Sequence, residues 1–454
     1  MSYQVINPFN QERLAQYSYD TWEQVERKLA LLKLGRRTLK NIPAFQRAHI
    51  LRRLSELMEE HAEQLAELIT RETGKTISDS RVEMGRAINA AIASAEECRQ
   101  LSGEALDSDA YGPARGKIGV VCWRPLGTVL CITPFNFPIN IALHKIGPAI
   151  AAGNTVLFKP GPQNTASSQL LVKLCYEAGI PQDVLQLSVP ALEDMSRLVA
   201  HDDISAVNFT GGTAAANAIA AAAGYKKLLL ELGGNDPLIV MPDGDLEAAV
   251  AGAINQRFAT AGQRCTAAKR LFIHGDVYDR FRDLLVQKST ALKVGDPMDD
   301  DTFVGPVIHS GAAAEIRSRI EDAIEKGATV ALGNRYEGAF VYPTILENVS
   351  TDCELMVEET FGPVMPLCRF TDVEDIIPVI NNTAYGLQAG IFTQNLGLVR
   401  YLFEQLDVGT LACNDGPGFR TEHFPFGGVK QSGVGREGIK YAVREMSVVK
   451  TLVI

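Results

Sequence analysis

Between residue 138 and about residue 240, short apolar runs alternate with longer amphipathic ones, and this rhythm admits few folds. Thr155-Val156-Leu157-Phe158, Val184-Leu185-Gln186-Leu187, Ala206-Val207-Asn208-Phe209 and Lys227-Leu228-Leu229-Leu230 have the length and residue types of strands. Helical segments lie between them, and strands alternating with helices predict a parallel sheet. The same texture returns from 237 to about 410, giving a second α/β unit. A chain of 454 residues is too long for one hydrophobic core, which predicts two or three domains.

The first hundred residues read as helical. Trp22, Val25, Leu29 and Leu32 recur at three- and four-residue steps, as do Leu51, Leu54, Leu57, Met58, Leu65 and Ile69. Gly74 follows where a helix C-terminal cap belongs. From 118 to 132, two β-rich runs flank Arg124-Pro125-Leu126-Gly127 and read as a hairpin. The end, from Met446 to Ile454, is apolar and β-prone. Left unpaired it would invite aggregation, so a partner strand is expected.

The charge of -10 argues against a nucleic-acid partner, whose phosphates need a cationic face. No apolar run is long enough to span a membrane, and no signal peptide opens the chain. The eight cysteines show no CxxC spacing, which reads as reduced thiols in a cytoplasmic protein. The seven histidines form no cluster with them, so no metal is implied.

One of those cysteines stands apart. Cys265 lies in Gly262-Gln263-Arg264-Cys265-Thr266, and Glu231 precedes Leu232-Gly233-Gly234. A thiol nucleophile and a carboxylate base thus each sit in a glycine-bearing segment, where the backbone can approach a ligand closely. Further segments keep a fixed order: Pro134-Phe135-Asn136-Phe137-Pro138, Gly153-Asn154-Thr155-Val156 with Phe158-Lys159-Pro160, Phe209-Thr210-Gly211, Glu358-Glu359-Thr360-Phe361-Gly362-Pro363, and Pro425-Phe426-Gly427-Gly428. Together they resemble the aldehyde dehydrogenase superfamily almost end to end.

The resemblance implies two Rossmann-like parallel-sheet domains and a small β oligomerisation arm. Residues 1–110 and 127–232 would form the dinucleotide-binding domain, 233–432 the catalytic domain, and 111–126 with 433–454 the arm of a homodimer or homotetramer. It implies Cys265 as nucleophile, with Asn136 and the Cys265 N–H holding the oxyanion. Glu231 would activate the water that hydrolyses a thioester, and Lys145 would take part in proton relay, although the residues alone suit a solvated helix lysine nearly as well.

The cofactor would be NAD or NADP, bound without the usual GxGxxG fingerprint. Thr133, Pro134 and Phe135 would line its site, and Lys159 would meet the adenosine ribose. Phe209, Thr210, Gly211, Gly212 and Thr213 would hold the pyrophosphate at a helix start. Leu232, Gly233, Glu359 and Phe361 would surround the nicotinamide end. Pro162 stands where an acidic residue is common, so a 2′-phosphate would meet no carboxylate, which points toward NADP or dual use. Phe135 replaces the more usual tryptophan, and Ala216 a glycine.

Three arginines make the substrate reading less generic. Arg264 adjoins the nucleophile, Arg420 lies in the loop that leads to Phe426, and Arg86 sits in Met84-Gly85-Arg86-Ala87. With Thr266 and Phe426 they would form the substrate site. The planar guanidinium fork suits carboxylate, sulfonate or phosphate, although each arginine alone also suits a surface ion pair. The pattern resembles the lactaldehyde, phosphonoacetaldehyde, sulfoacetaldehyde and non-phosphorylating glyceraldehyde-3-phosphate dehydrogenases. The expected activity is therefore oxidation of a small anionic aldehyde to its acid. The competing readings are a neutral, lactaldehyde-like substrate, transfer of the acyl group to coenzyme A, against which Glu231 speaks, and a catalytically silent binding protein.

Overall fold

Thr128–Ile132 is buried at every residue, which marks a strand covered on both faces. A computed structural model describes all 454 residues and places this strand inside a six-stranded sheet. Thr155–Lys159 and Leu185–Leu187 follow it on one side, Ala206–Thr210 and Lys227–Glu231 on the other, all parallel. Gly433–Val434 closes the edge antiparallel to Lys227–Glu231. The strand order reverses between Thr128–Ile132 and Ala206–Thr210, and a crevice at the carboxyl ends of such strands is where doubly wound sheets bind ligands.

Alternate side chains of these strands enter different cores. Val129, Cys131, Val156 and Phe158 pack with the helices Ala44–Glu60, Ala62–Thr73, Ile77–Glu97 and Pro138–Ala152. Leu130, Ile132, Leu157 and Val207 face Trp22–Lys40 and Thr213–Ala223. Gly74 ends Ala62–Thr73 in the left-handed conformation that glycine tolerates best.

The second sheet has seven strands. Thr344–Glu347, Val364–Phe370, Arg270–His274, Pro237–Val240, Gln388–Phe392 and Thr410–Cys413 run parallel in that spatial order, and Thr329–Leu332 pairs antiparallel at one edge. Its core is separate, built around Leu238, Phe258, Phe272, Phe281 and Ile391. No helix is long and apolar enough to cross a membrane.

Two local expectations are corrected. Residues 118–132 do not form a hairpin, because Gly119–Pro125 and Thr128–Ile132 belong to different sheets. Gly119–Pro125 pairs antiparallel with Ser447–Val453 along its whole length and with Glu104–Leu106 on its other side. The polar-flanked first run suits a half-exposed antiparallel strand, whereas the fully buried second run suits a parallel interior. The Pro/Gly connection lets the chain change sheets there. The first hundred residues are also not wholly helical. Ser2–Ile6 and Arg13–Ser18 pair antiparallel, and Tyr3 packs its ring against Tyr17 and Tyr19.

Candidate active site

The segment that carries Cys265 leaves the Leu246–Phe258 helix through an unusual turn. Thr260 and Ala261 hold φ of 56° and 51°, strained for residues with a Cβ, and Gly262 follows at 71°. A side chain on Gly262 would meet the Gly362 carbonyl at 2.2 Å, so glycine is required. Asp79 fixes the turn by accepting from the Thr260 N–H at 2.7 Å and from its hydroxyl at 3.1 Å. Gln263 accepts from the Ile308 N–H at 2.9 Å. Asn136 Nδ2 donates to the Gln263 carbonyl at 2.8 Å, which ties the loop before the Pro138–Ala152 helix to the cysteine loop. That bond uses one of the two Asn136 N–H groups and leaves the second for a ligand oxygen.

Cys265 is half-buried, and burial pushes its thiol up to about 11, with Lys269 and Arg420 pulling the other way. Lys269 was not anticipated from the sequence. Its ammonium is buried, donates to the Cys265 carbonyl, and stands 3.0 Å from Glu359 Oε1. A lysine four residues past the nucleophile carries no motif of its own, so only the folded loop reveals it.

Glu231 ends its strand inside the protein, with Oε2 free of any hydrogen bond. Burial first, and then the neighbouring Glu437, push its carboxyl well above the usual range. Gly427 gives it room, since a side chain there would approach Oε1 to 2.8 Å. Glu437 is also buried, yet Lys145 and Arg420 outweigh burial and hold it down to about 2. Lys145 Nζ donates to Glu437 Oε1 at 2.7 Å and to Asn208 Oδ1 at 2.6 Å. Lys145 is therefore not a solvated helix lysine. Glu437 lies 292 residues away from Lys145, and nothing in its local sequence separates it from an ordinary loop acid.

A cleft of about 480 Å³ opens at the carboxyl ends of the six-stranded sheet. Thr133, Pro134, Phe135, Asn136, Lys159, Phe209, Thr210, Gly211 and Gly212 line it, and Leu232, Gly233, Cys265, Glu359 and Phe361 reach the same space. Gly161, Gln163 and Glu315 also line it and were not foreseen, whereas Thr213 begins the next helix without lining the cleft. Thr133 Oγ1 and Thr210 Oγ1 are buried there without partners. No side chain caps the Thr213–Ala223 helix, so its first N–H groups remain open to an anion. Lys159 meets no carboxylate, and burial lowers it to about 8. Glu359 accepts from the Gly234 N–H at 3.1 Å, and a Cβ on Gly233 would collide with its Oε2. These features fit a dinucleotide, with pyrophosphate at the helix start and a ribose at Glu359.

Arg86, Arg264 and Arg420 come from three segments and act on one another. Burial, with Arg420 and Arg264 adding to it against Glu422, lowers Arg86 to about 10. Arg86 Nε stands 3.6 Å from Glu422, and its Nε and Nη2 are buried without hydrogen bonds. Arg420 gives Nη2 to Glu437 at 2.6 Å, lies over the Phe426 ring at 3.9 Å, and leaves Nε unmet. The Arg264 guanidinium stands 5.6 Å above the Phe137 ring and pairs with no carboxylate. Thr266 is buried beside the nucleophile and Phe426 beneath Arg420. Like charges held together, two of them with unmet donors, are chemically suited to an anion.

The sequence profile described as the aldehyde dehydrogenase family matches residues 1–452. The chain is 73% identical over 453 residues to a sulfoacetaldehyde dehydrogenase of Neptuniibacter caesariensis, covering 100% of this chain and 99% of that one. It is 36% identical to a 3-sulfolactaldehyde dehydrogenase of Priestia megaterium, covering 99% and 94%. The structure of glyceraldehyde-3-phosphate dehydrogenase from Methanocaldococcus jannaschii complexed with NADP superimposes with a TM-score of 0.95 at 35% identity, over 99% and 98% of the two chains. Aldehyde dehydrogenase 21 from Physcomitrella patens, in complex with its reaction product succinate, gives 0.97 at 33%, over 100% and 95%.

Proposed function

The chain belongs to the aldehyde dehydrogenase family, and we propose that it oxidises sulfoacetaldehyde, with NAD(P) and water, to the corresponding carboxylate. The observation that carries this reading is three guanidinium groups that act on one another, two of them with buried unmet donors and the third, Arg264, adjoining the cysteine that lines the cleft. The 73% identity to a sulfoacetaldehyde dehydrogenase supports the same choice.

On this reading Cys265 Sγ gives its proton to solvent water, and the thiolate adds to the aldehyde carbon. The resulting oxyanion lies against the free N–H of Asn136 Nδ2 and the Cys265 backbone N–H. A bound nicotinamide supplies the hydride acceptor, and a thioester on Cys265 is what remains. Ionised Glu231 takes a proton from a water that attacks the thioester carbon. The acid leaves, and the Cys265 thiolate returns. The Lys145–Glu437 pair, next to Glu231, offers a route by which that proton departs. Arg264 and Arg86 hold the sulfonate, and Arg420 divides its donors between it and Glu437.

Lys159 without a nearby carboxylate, and Gln163 in the cleft wall, support use of both NAD and NADP. The eight free thiols support a cytoplasmic setting, and the exposed Val448, Val449, Leu452 and Val453 support a homodimer or homotetramer built on the Ser447–Val453 strand.

The test is initial-rate kinetics on sulfoacetaldehyde, succinic semialdehyde and propanal with each dinucleotide, with and without coenzyme A. Sulfoacetaldehyde should exceed propanal in kcat/KM by roughly 100-fold or more, the scale of one or two charge-assisted pairs. Coenzyme A should change nothing. Equal kcat/KM for the charged and neutral aldehydes removes the sulfonate from the reading.

A further inference from the structure

The Lys269 side chain is buried and does not line the cleft, yet its ammonium touches both the cysteine's segment and the acid of the cleft. Nζ donates to the Cys265 carbonyl and stands 3.0 Å from Glu359 Oε1. The Gly234 N–H donates to the same Oε1 at 3.1 Å. A Cβ on Gly234 would lie 3.0 Å from the Cys265 carbonyl oxygen, so three segments meet at one point with little room between them.

The parts of this node differ in freedom. Arg319 donates to the Glu359 carbonyl and Arg257 to the Thr360 carbonyl at 3.2 Å, which fixes that main chain. The Lys269 N–H donates to the Asp236 carbonyl at 2.9 Å. Glu359 also lines the cleft, so its carboxylate is the part that a bound molecule can redirect. An ammonium shared between a carboxylate and a carbonyl responds when a third group takes up the carboxylate, because its charge is then less fully met. The sign of the response follows from charge: Lys269 draws the Cys265 thiol toward ionisation, and Glu359 opposes it.

We propose that Lys269 is a positioning residue that couples occupancy of the ribose site at Glu359 to the reactivity of Cys265. The coupling rests on Glu359 holding the nicotinamide ribose, as read above, and adds what that contact does. A Glu359 that accepts from ribose hydroxyls leaves less of its charge facing Lys269. The ammonium then bears more fully on the Cys265 segment, and the thiol is readied only when the cofactor site is filled.

The experiment measures the rate at which iodoacetamide alkylates Cys265, read by mass on its peptide, with and without the methyl glycoside of ADP-ribose. That probe keeps the ribose diol but has no nicotinamide ring to shield the thiol; AMP, which lacks that ribose, is the control. Calorimetric titration confirms saturation, and thermal melting follows each variant. In wild type the glycoside should speed alkylation roughly 3- to 10-fold, the scale of one hydrogen bond, and AMP should not. Lys269→Met should alkylate more slowly and lose the response. Glu359→Gln, which strips Lys269 of its counter-ion, should alkylate faster than wild type without any ligand, and the double variant should match Lys269→Met. A response that survives Lys269→Met, a response that AMP reproduces, or single effects that add in the double variant would overturn the proposal. If Lys269→Met does not fold, Glu359→Gln decides: an unchanged or slower unliganded rate also overturns it. A glycoside that binds wild type without changing the rate removes the coupling, whereas one that binds wild type and Glu359→Gln equally well removes the ribose reading beneath it.

Discussion

Glu231 and Glu437 are neighbouring buried acids driven in opposite directions. Glu437 has Lys145 and Arg420 as hydrogen-bonded partners and stays ionised, whereas Glu231 has an unpartnered oxygen and a negative neighbour. A carboxyl whose folded pKa is raised contributes most stability below its unfolded pKa, and loses it as pH climbs toward the folded value. Glu231→Gln should therefore melt higher than wild type at pH 8, with the difference vanishing toward pH 4, in paired thermal scans. A variant that melts lower at pH 8 would show that the carboxylate is stabilised in a way this geometry does not contain. Because Glu231 and Cys265 are both raised, kcat/KM should climb from neutral into alkaline pH. The arginines separate as well. Arg264→Ala should raise KM for sulfoacetaldehyde by roughly 30- to 1000-fold and spare propanal. Arg420→Ala should damage both substrates, because it also frees Glu437. The nucleophile, the base and the arginines stand out in the sequence as motif residues, but Lys269 and Glu437 do not. Their meaning lies in partners that only folding brings near.

The Pro138–Ala152 helix carries Asn140, His144 and Lys145, and Asn136 lies just before its N-cap Phe137, so its placement governs the site. Glu83 sets its start by accepting from the Ile139 and Asn140 N–H groups at 2.9 and 3.0 Å, while Lys75 binds the other Glu83 oxygen. Glu83→Ala removes the cap and strands a buried ammonium, which should cost about 3–5 kcal/mol in denaturant unfolding. Pairing Glu83→Gln with Lys75→Met should cost clearly less than Glu83→Ala alone, since neither charge is then left unmatched. Additive losses would mean that the two do not act as a pair. At this scale the apolar strands from Thr155 to Leu230 were legible because parallel interior strands carry their signal locally. The partner of the Gly119–Pro125 strand is not legible locally, because its neighbour, Ser447–Val453, lies more than 300 residues onward in sequence.

For the molecule as a whole, the acid and the thiol come from different sheets. Glu231 closes a strand of the six-stranded sheet, and Cys265 precedes the Arg270–His274 strand of the seven-stranded one, so the site exists only where the two units meet. The most direct test of the account follows a single turnover of Glu231→Gln mixed with sulfoacetaldehyde and NAD(P), with the cysteine peptides weighed after acid quench. The first oxidation should proceed and hydrolysis should stall, giving about one NAD(P)H per site and an acyl adduct on Cys265 alone. Steady turnover at the wild-type rate, or an adduct on any other cysteine, would contradict the division of labour between Cys265 and Glu231.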